Sequence, residues 1–388
     1  MYRKLINFTL KLLNSKKYFD FLPLSIMQIY ILNKISGRND KVFKIKAIKH
    51  LPVSEKLLNG YKYVSKTQNN IEVDVPDLNL YILKNVIVNS QSSAIIYREN
   101  IFYEAINENE RFNEGFIKYH TKKNAIVDIT EVTEIEEGFF LAGNGSFNWY
   151  HWMIEILPKM LYYKEILSKI ILVDNSCKTI PTMAESLRIV TEKLNVKIIY
   201  LDKNKSYKVK NLYFINEVNK LMFNPIDPNK NTLPLYYFRQ ESLKLLNEKF
   251  RSNYFENKEE NKKIFLDRKN THRIAKNENE IRELLQHQNF HNIDGSKLNF
   301  SEQINTFSNA EVIVGTTGAA FTNIIFCKPK CKIIIFIPQN YRYYKFYREI
   351  GEMLDLKLSY LYYDNDDADH TKSDFIIDTN ELDRLLKI

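Results

Sequence analysis

Glycine is scarce in this sequence, at 10 of 388 residues. No segment is dominated by Pro, Gly or Ser, and no repeat recurs at a period of about 20 to 50 residues, which excludes low-complexity, collagen-like and solenoid architectures. Cysteine is rarer still: Cys177, Cys327 and Cys331 are an odd set without a framework of spacings. A disulfide scaffold is thereby excluded and a reducing compartment favoured. No His stands near Cys327 and Cys331 to complete a zinc set, so both read as buried structural thiols. Long hydrophobic runs are missing too. The most apolar stretch, residues 21–32, includes Gln28 and falls well short of the roughly 20 residues a spanning helix needs. Lys11 interrupts the apolar residues after Leu5 and no small-residue cleavage site follows, so a signal peptide is not expected.

Acidic residues are lacking at one end only. Residues 1–50 carry 11 Lys or Arg against Asp20 and Asp40, while the remaining 338 balance at 45 basic and 45 acidic, so the net charge of +9 sits in the first segment. A nucleic-acid binder needs its cations along the binding surface, and no nucleic-acid partner is expected here. Leu5, Phe8, Leu12 and Leu13 repeat at helical spacing, with Lys4, Lys11, Lys16 and Lys17 largely off that stripe. This is the pattern of a basic helix lying on an anionic membrane surface, and it suggests a cytoplasmic protein held at the inner face of a membrane. A helix packed on the body with solvated lysines fits the same pattern.

What is present is enough apolar material, 44% of residues, for two cores. Strand-like runs at 80–88, 93–97, 125–129 and 138–142 are followed by a change of rhythm at Asn148. A helical stretch to about 167, a strand at 169–173, a helix at 183–194 and strands at 196–201 and 211–215 then alternate as in parallel βαβ units. Turn signals at Pro225, Pro228 and Pro234 and a polar helix over 237–256 mark a connection. Alternation resumes with strands at 263–267, 289–294, 311–315 and 332–337. Helices are expected between them at 278–288, 301–309 and 319–327, the first opened by a capping box from Asn277 to Glu280. The expected organisation is a basic N-terminal segment over 1–60, a Rossmann-like domain over 61–225, a linker and helix over 226–262, and a second Rossmann-like domain over 263–388.

Three segments carry candidate chemistry. In the first, Asn148, His151, Glu155 and Lys159 fall on one face of one helix among Trp149, Tyr150 and Trp152. Pro158 cannot donate to the carbonyl of Ile154, so the helix should kink or restart beside Glu155 and leave a polar group free. A carboxylate paired with an imidazole in such a setting is a candidate general base toward a hydroxyl, and a purely structural pair is the alternative. The second segment, Asp267-Arg268-Lys269 through His272-Arg273, follows an apolar strand, where arginine forks suit a diphosphate. In the third, a strand runs into Gly315-Thr316-Thr317-Gly318-Ala319 and then a helix, directing backbone N–H groups and two hydroxyls to one spot, an anion site by construction.

Taken in order, Asn-x-x-His-Trp-x-x-Glu-x-x-Pro from Asn148, Leu-Asp-Arg from Leu266, and Phe-Ser-Glu-Gln-Ile from Phe300 running on to Gly-x-x-Gly-Ala-x-x-Thr-Asn resemble glycosyltransferase family 61 over about residues 138–340. The family includes capsular polysaccharide enzymes, plant xylan transferases and protein O-linked sugar transferases. The resemblance implies an α/β, GT-B-like fold of two Rossmann-type domains facing each other across a cleft. It also implies inversion at the anomeric carbon, no required metal or other cofactor, a nucleotide-sugar donor and a glycan acceptor. Carried over by position, Arg268, Arg273, the turn from Gly315 through Thr316, Thr317 and Gly318 to Ala319, and Asn323 would hold the donor diphosphate. Glu302 or Gln303 would meet the nucleoside, and Glu155 with His151 would supply the base, supported by Asn148. The family pattern carries His just before the Gly-Ala pair, where this chain has Thr317. That departure bears on donor type and activity, and it keeps open a catalytically silent module that binds a nucleotide-sugar or glycan. A metal-dependent GT-A transferase is a further alternative, from Asp364-Asn365-Asp366 at the end of an apolar strand, although only 22 residues follow Asp366.

Overall fold

The computed structural model describes residues 40–47, 55–57, 63–66, 72–103, 116–120, 124–129, 131–221, 236–254, 262–267, 274–339, 346–364 and 374–388. The amphipathic stretch over residues 4–17 and the diphosphate candidates Arg268 and Arg273 lie outside them. The chain forms two compact units. The first comprises 1–62, 76–180 and 190–235, and the second 63–75, 181–189 and 236–388.

Strands β1 (Asp40–Ala47), β2 (Glu55–Leu57), β3 (Tyr63–Lys66), β4 (Glu72–Val75), β5 (Asn79–Val88) and β6 (Ile95–Tyr97) come first. Next are β7 (Asn100–Tyr103), β8 (Ile117–His120), β9 (Asn124–Asp128), β10 (Val132–Leu141), β11 (Ile170–Asp174), β12 (Lys197–Leu201) and β13 (Ser206–Ile215). Of these, β3 and β4 form a separate two-stranded ribbon, and the rest join an eleven-stranded sheet ordered β12-β11-β10-β13-β5-β6-β7-β1-β9-β8, with β2 on β5. Its first four strands are mutually parallel, and β5 then pairs antiparallel with β13. Numbered along the chain, those four strands stand in the order 3-2-1-4, which reverses direction between β10 and β13. The unbroken apolar run of β11, whose Ile171, Leu172 and Val173 are all fully buried, is what a parallel strand covered on both faces requires. Phe140, Leu172, Val209 and Phe214 centre the core of this unit.

The second unit adds β14 (Lys263–Leu266), β15 (His291–Ile293), β16 (Val312–Thr316), β17 (Lys332–Pro338) and β18 (Lys357–Tyr363). All five are parallel, in the order β15-β14-β16-β17-β18. In chain order that reads 2-1-3-4-5, a doubly wound sheet whose direction reverses between β14 and β16, where ligands characteristically bind beyond the strands' carboxyl ends. Phe265, Ile334, Phe336 and Leu361 centre its core. Both units are thus α/β, each with a parallel sheet segment that changes direction once.

Helical segments occupy the expected places, and the capping of one of them differs from the sequence pattern. The helix Glu278–His287 has Asn277 at its N-cap, but no side-chain capping bond forms. The Asn277 amide instead donates to the Ile377 carbonyl at 2.8 Å and accepts from the Ile377 N–H at 3.1 Å. The capping box belongs to the next helix, Phe300–Asn309, where Asn299 and Glu302 satisfy each other's backbone N–H groups at 2.8 and 2.9 Å. A partner 100 residues away took the amide that the local pattern assigned to the first helix.

Candidate functional site

Two sites can be assembled from these elements, one in each unit. In the first unit, β10 ends at Leu141 and the chain turns through Gly143 and Gly145, both at positive φ, to Asn148. Asn148 caps the following helix, its side chain accepting from the Tyr150 N–H at 2.9 Å. The α-helical turn Trp149–His151 passes into a π-helical turn, Trp152–Ile156, and then into a 3-10 segment, Leu157–Glu165. This is the restart that Pro158 imposes. The carbonyl of Ile154 is not left free, however, because the buried Asn219 amide donates to it at 2.8 Å. A missing N–H at 158 is thus replaced by a side chain from the segment after β13.

The same segment receives the rest of the polar stripe. His151 and Glu155 are buried, at 8% and 5% exposure, and His151 Nδ1 is hydrogen-bonded to Glu155 Oε2. The other carboxylate oxygen, Oε1, accepts from the Leu221 N–H at 2.5 Å. Lys159 is fully buried, with its Nζ 3.2 Å from Glu217 Oε2 and 5.5 Å from the centre of the Phe214 ring. The stripe therefore does not face bulk water. It is a buried polar seam against residues 217–221, which sequence reasoning did not anticipate because those partners lie about 60 residues away.

The seam holds Glu155 in a fixed position. Both of its oxygens are engaged, one by an imidazole and one by a backbone N–H, so the carboxylate is placed to orient His151. A carboxylate bound to Nδ1 fixes the imidazole's tautomer and ring orientation and directs proton exchange to Nε2. Gly145 contributes to the same geometry. At φ +74° it adopts a conformation that L side chains resist, and a Cβ there would lie 2.6 Å from the His151 ring.

In the second unit, Leu266 of β14 pairs with Gly315 of β16, which brings Asp267 and Thr316 to neighbouring strand ends at the direction change. A Cβ on Gly315 would lie 2.9 Å from Leu266 Cβ, so the two strands approach this closely only because residue 315 is glycine. Beyond β16, Thr317 donates its N–H to Phe336 O at 2.9 Å, and Gly318 O accepts from the Tyr347 hydroxyl at 2.7 Å. The 3-10 segment Ala319–Phe326 begins there, with Ala319 and Ala320 exposed and the Phe321 N–H donating back to Gly318 O at 3.0 Å. Asp267 is buried and paired with Arg282 at 2.6 Å, which fixes the residue just before Arg268.

The residues assigned to the nucleoside, Glu302 and Gln303, and Asn323, assigned to the diphosphate, have structural partners. Gln303 and Asn323 are buried together, the Asn323 amide donating to Gln303 Oε1 at 2.9 Å and the Gln303 amide donating to Leu298 O at 3.0 Å. Glu302 is exposed, and its carboxylate accepts from the Asn299 N–H in the capping box. At the end of β18, Asp364 is exposed, while Asn365 and Asp366 lie outside the described residues. Among the described residues no cluster of three or more His, Cys, Asp or Glu side chains is arranged to hold a metal ion, and no helix is long and apolar enough to cross a membrane.

No curated protein matches the chain. The family model described as Glycosyltransferase 61 matches residues 149–334, from the helix that carries His151 and Glu155 into β17. Residues 149–334 are thus recognised as glycosyltransferase 61 sequence, the family that the three motifs resemble.

Proposed function

We propose that this protein is an inverting, metal-independent glycosyltransferase that moves a sugar from a nucleotide-sugar donor to a capsule-type glycan acceptor. The observation that carries the reading is the register Leu266↔Gly315, which sets Asp267, the residue before Arg268, and Thr316 on adjacent strand ends where the second sheet changes direction. Guanidinium forks and backbone N–H groups at neighbouring strand ends suit a diphosphate.

In the reaction, an acceptor hydroxyl attacks the donor's anomeric carbon as the bond from that carbon to the diphosphate oxygen breaks. The electron pair leaves with the nucleoside diphosphate, whose charge Arg268, Arg273 and the turn stabilise. The hydroxyl proton passes to His151 Nε2, with Glu155 holding Nδ1. Base catalysis of this kind contributes about 10² to 10⁴ in rate, and each preorganised group at the leaving oxygen about 10² to 10³. The family pattern's imidazole before the Gly-Ala pair is Thr317 here, so leaving-group stabilisation rests on the arginines and the backbone. The proposed setting is the inner face of a membrane, with residues 1–50 on anionic lipid.

A thermal-shift screen against nucleoside diphosphates and nucleotide-sugars, followed by a transfer assay with the donor that binds, tests this reading. The expected outcome is a shift with one nucleotide, its loss in Arg268→Ala, and turnover that survives a chelator. Binding without turnover would favour the silent module, and activity restored only by manganese would favour a metal-dependent transferase.

A further inference from the structure

A cavity of about 580 Å³ opens in the first unit, lined by Gln91, Phe147, Asp174, Asn175, Ser176, Thr179, Asp202, Lys203 and Asn204. Asp174 is the last residue of β11 and Asp202 follows the last residue of β12, so the cavity lies beyond the carboxyl ends of parallel strands. That is where open α/β sheets place their ligands, and the volume is in the range of small-molecule sites. Phe147 comes directly before Asn148, the cap of the helix that carries His151. Phe147 is 41% exposed, one of ten large apolar residues left open to solvent among the described residues.

The lining is built for hydroxyl groups. It offers three side-chain amides, two hydroxyls and two carboxylates around one aromatic ring, with Lys203 as its only cation. Asp174 is fixed by the Ser90 hydroxyl at 2.5 Å and by the Ser176 N–H at 2.8 Å, which leaves each oxygen a second lone pair. Asp202 is exposed and accepts from the Asn204 N–H at 2.8 Å. Two carboxylates against one ammonium make the rim net negative, which opposes a diphosphate and suits a neutral ligand.

We propose that this cavity binds a neutral saccharide as the acceptor, with Phe147 as the platform for the C–H face of one sugar ring and with Asp202, Asn175 and Asn204 reading its hydroxyls. Apolar C–H surface removed from water against the ring supplies affinity, while the fixed polar groups supply orientation. As an assignment of the acceptor the proposal rests on the glycosyl-transfer reading; as a saccharide site it stands alone.

Saturation-transfer NMR with neutral methyl glycosides of glucose, galactose, mannose and N-acetylglucosamine tests it on the full chain, with UDP and inorganic pyrophosphate as competitors. At least one glycoside should give a transfer signal that neither competitor reduces. That signal should fall at least about fivefold in Phe147→Ala and in Asp202→Ala, both exposed positions, with melting temperature unchanged. Retention of the glycoside signal in both variants, displacement by pyrophosphate, or no signal from any glycoside would overturn the proposal. Glycoside binding without transfer from any donor would leave the cavity in place and remove the transferase reading; transfer without glycoside binding would do the reverse.

Discussion

Replacing Gly145 by alanine should damage catalysis by displacing the His151 imidazole, with no catalytic side chain removed. Residue 145 sits at φ +74°, and the new Cβ would stand 2.6 Å from two atoms of the imidazole ring and 2.8 Å from His151 Cβ. Carbon atoms settle at about 3.5 to 4.0 Å, so ring or turn must retreat by roughly 1 Å. A left-handed alanine adds about 1 to 2 kcal/mol of backbone cost, which a folded domain can absorb. A displacement of about 1 Å at a proton-transferring group costs on the order of 10² in rate. The expected result is a kcat lowered about a hundredfold, with the donor-induced thermal shift intact and a melting temperature lowered by only a few degrees. Native kcat in a folded Gly145→Ala protein would refute the claim that the turn positions the imidazole.

Asn219→Ala removes the donor to the Ile154 carbonyl, a buried acceptor that Pro158 cannot serve, and should lower stability to denaturant by about 1 to 3 kcal/mol. Lys159→Met and Glu217→Gln each strand one member of a buried ion pair and should cost about 3 to 5 kcal/mol alone, but less than their sum together, as a double-mutant cycle would measure. Burial, and then the nearby Asp174 carboxylate, push the Cys177 thiol above its ordinary value of 9.0. Burial does the same for Cys327, helped by the neighbouring Cys331. In the unfolded chain these thiols lose their protons near pH 9 while the folded ones keep them, so the unfolded state binds fewer protons and stability falls as pH rises past about 9. Denaturation midpoints between pH 8 and pH 10 check the slope, and a thiol reagent at pH 8 should label Cys177 and Cys327 only after unfolding.

Sequence periodicity was sufficient wherever a segment's partners are its own neighbours. The buried runs of β11 and β17, the helix Gln240–Tyr254 and the strand-turn-helix at Gly315 all fell where apolar pattern and turn residues put them. Pro158 announced its break because the lost N–H is a local fact. What periodicity did not carry was who repairs such losses. Asn219 at the Ile154 carbonyl, Leu221 N–H on Glu155, Glu217 against Lys159 and Ile377 on the Asn277 amide are long-range choices made by packing. Those choices made one polar helix face into a buried seam, and moved the capping box from Asn277 to Asn299. The cavity beside Phe147 was equally hidden, since its lining comes from the ends of separate strands and no single stretch of sequence displays it.

The most direct test of the account is single-turnover sugar transfer by the native protein, His151→Ala and Glu155→Gln, with donor binding measured in parallel. The account predicts unchanged donor binding and a chemical step slowed about 10² to 10⁴ in both variants. Transfer at native rate by a folded His151→Ala protein would contradict it.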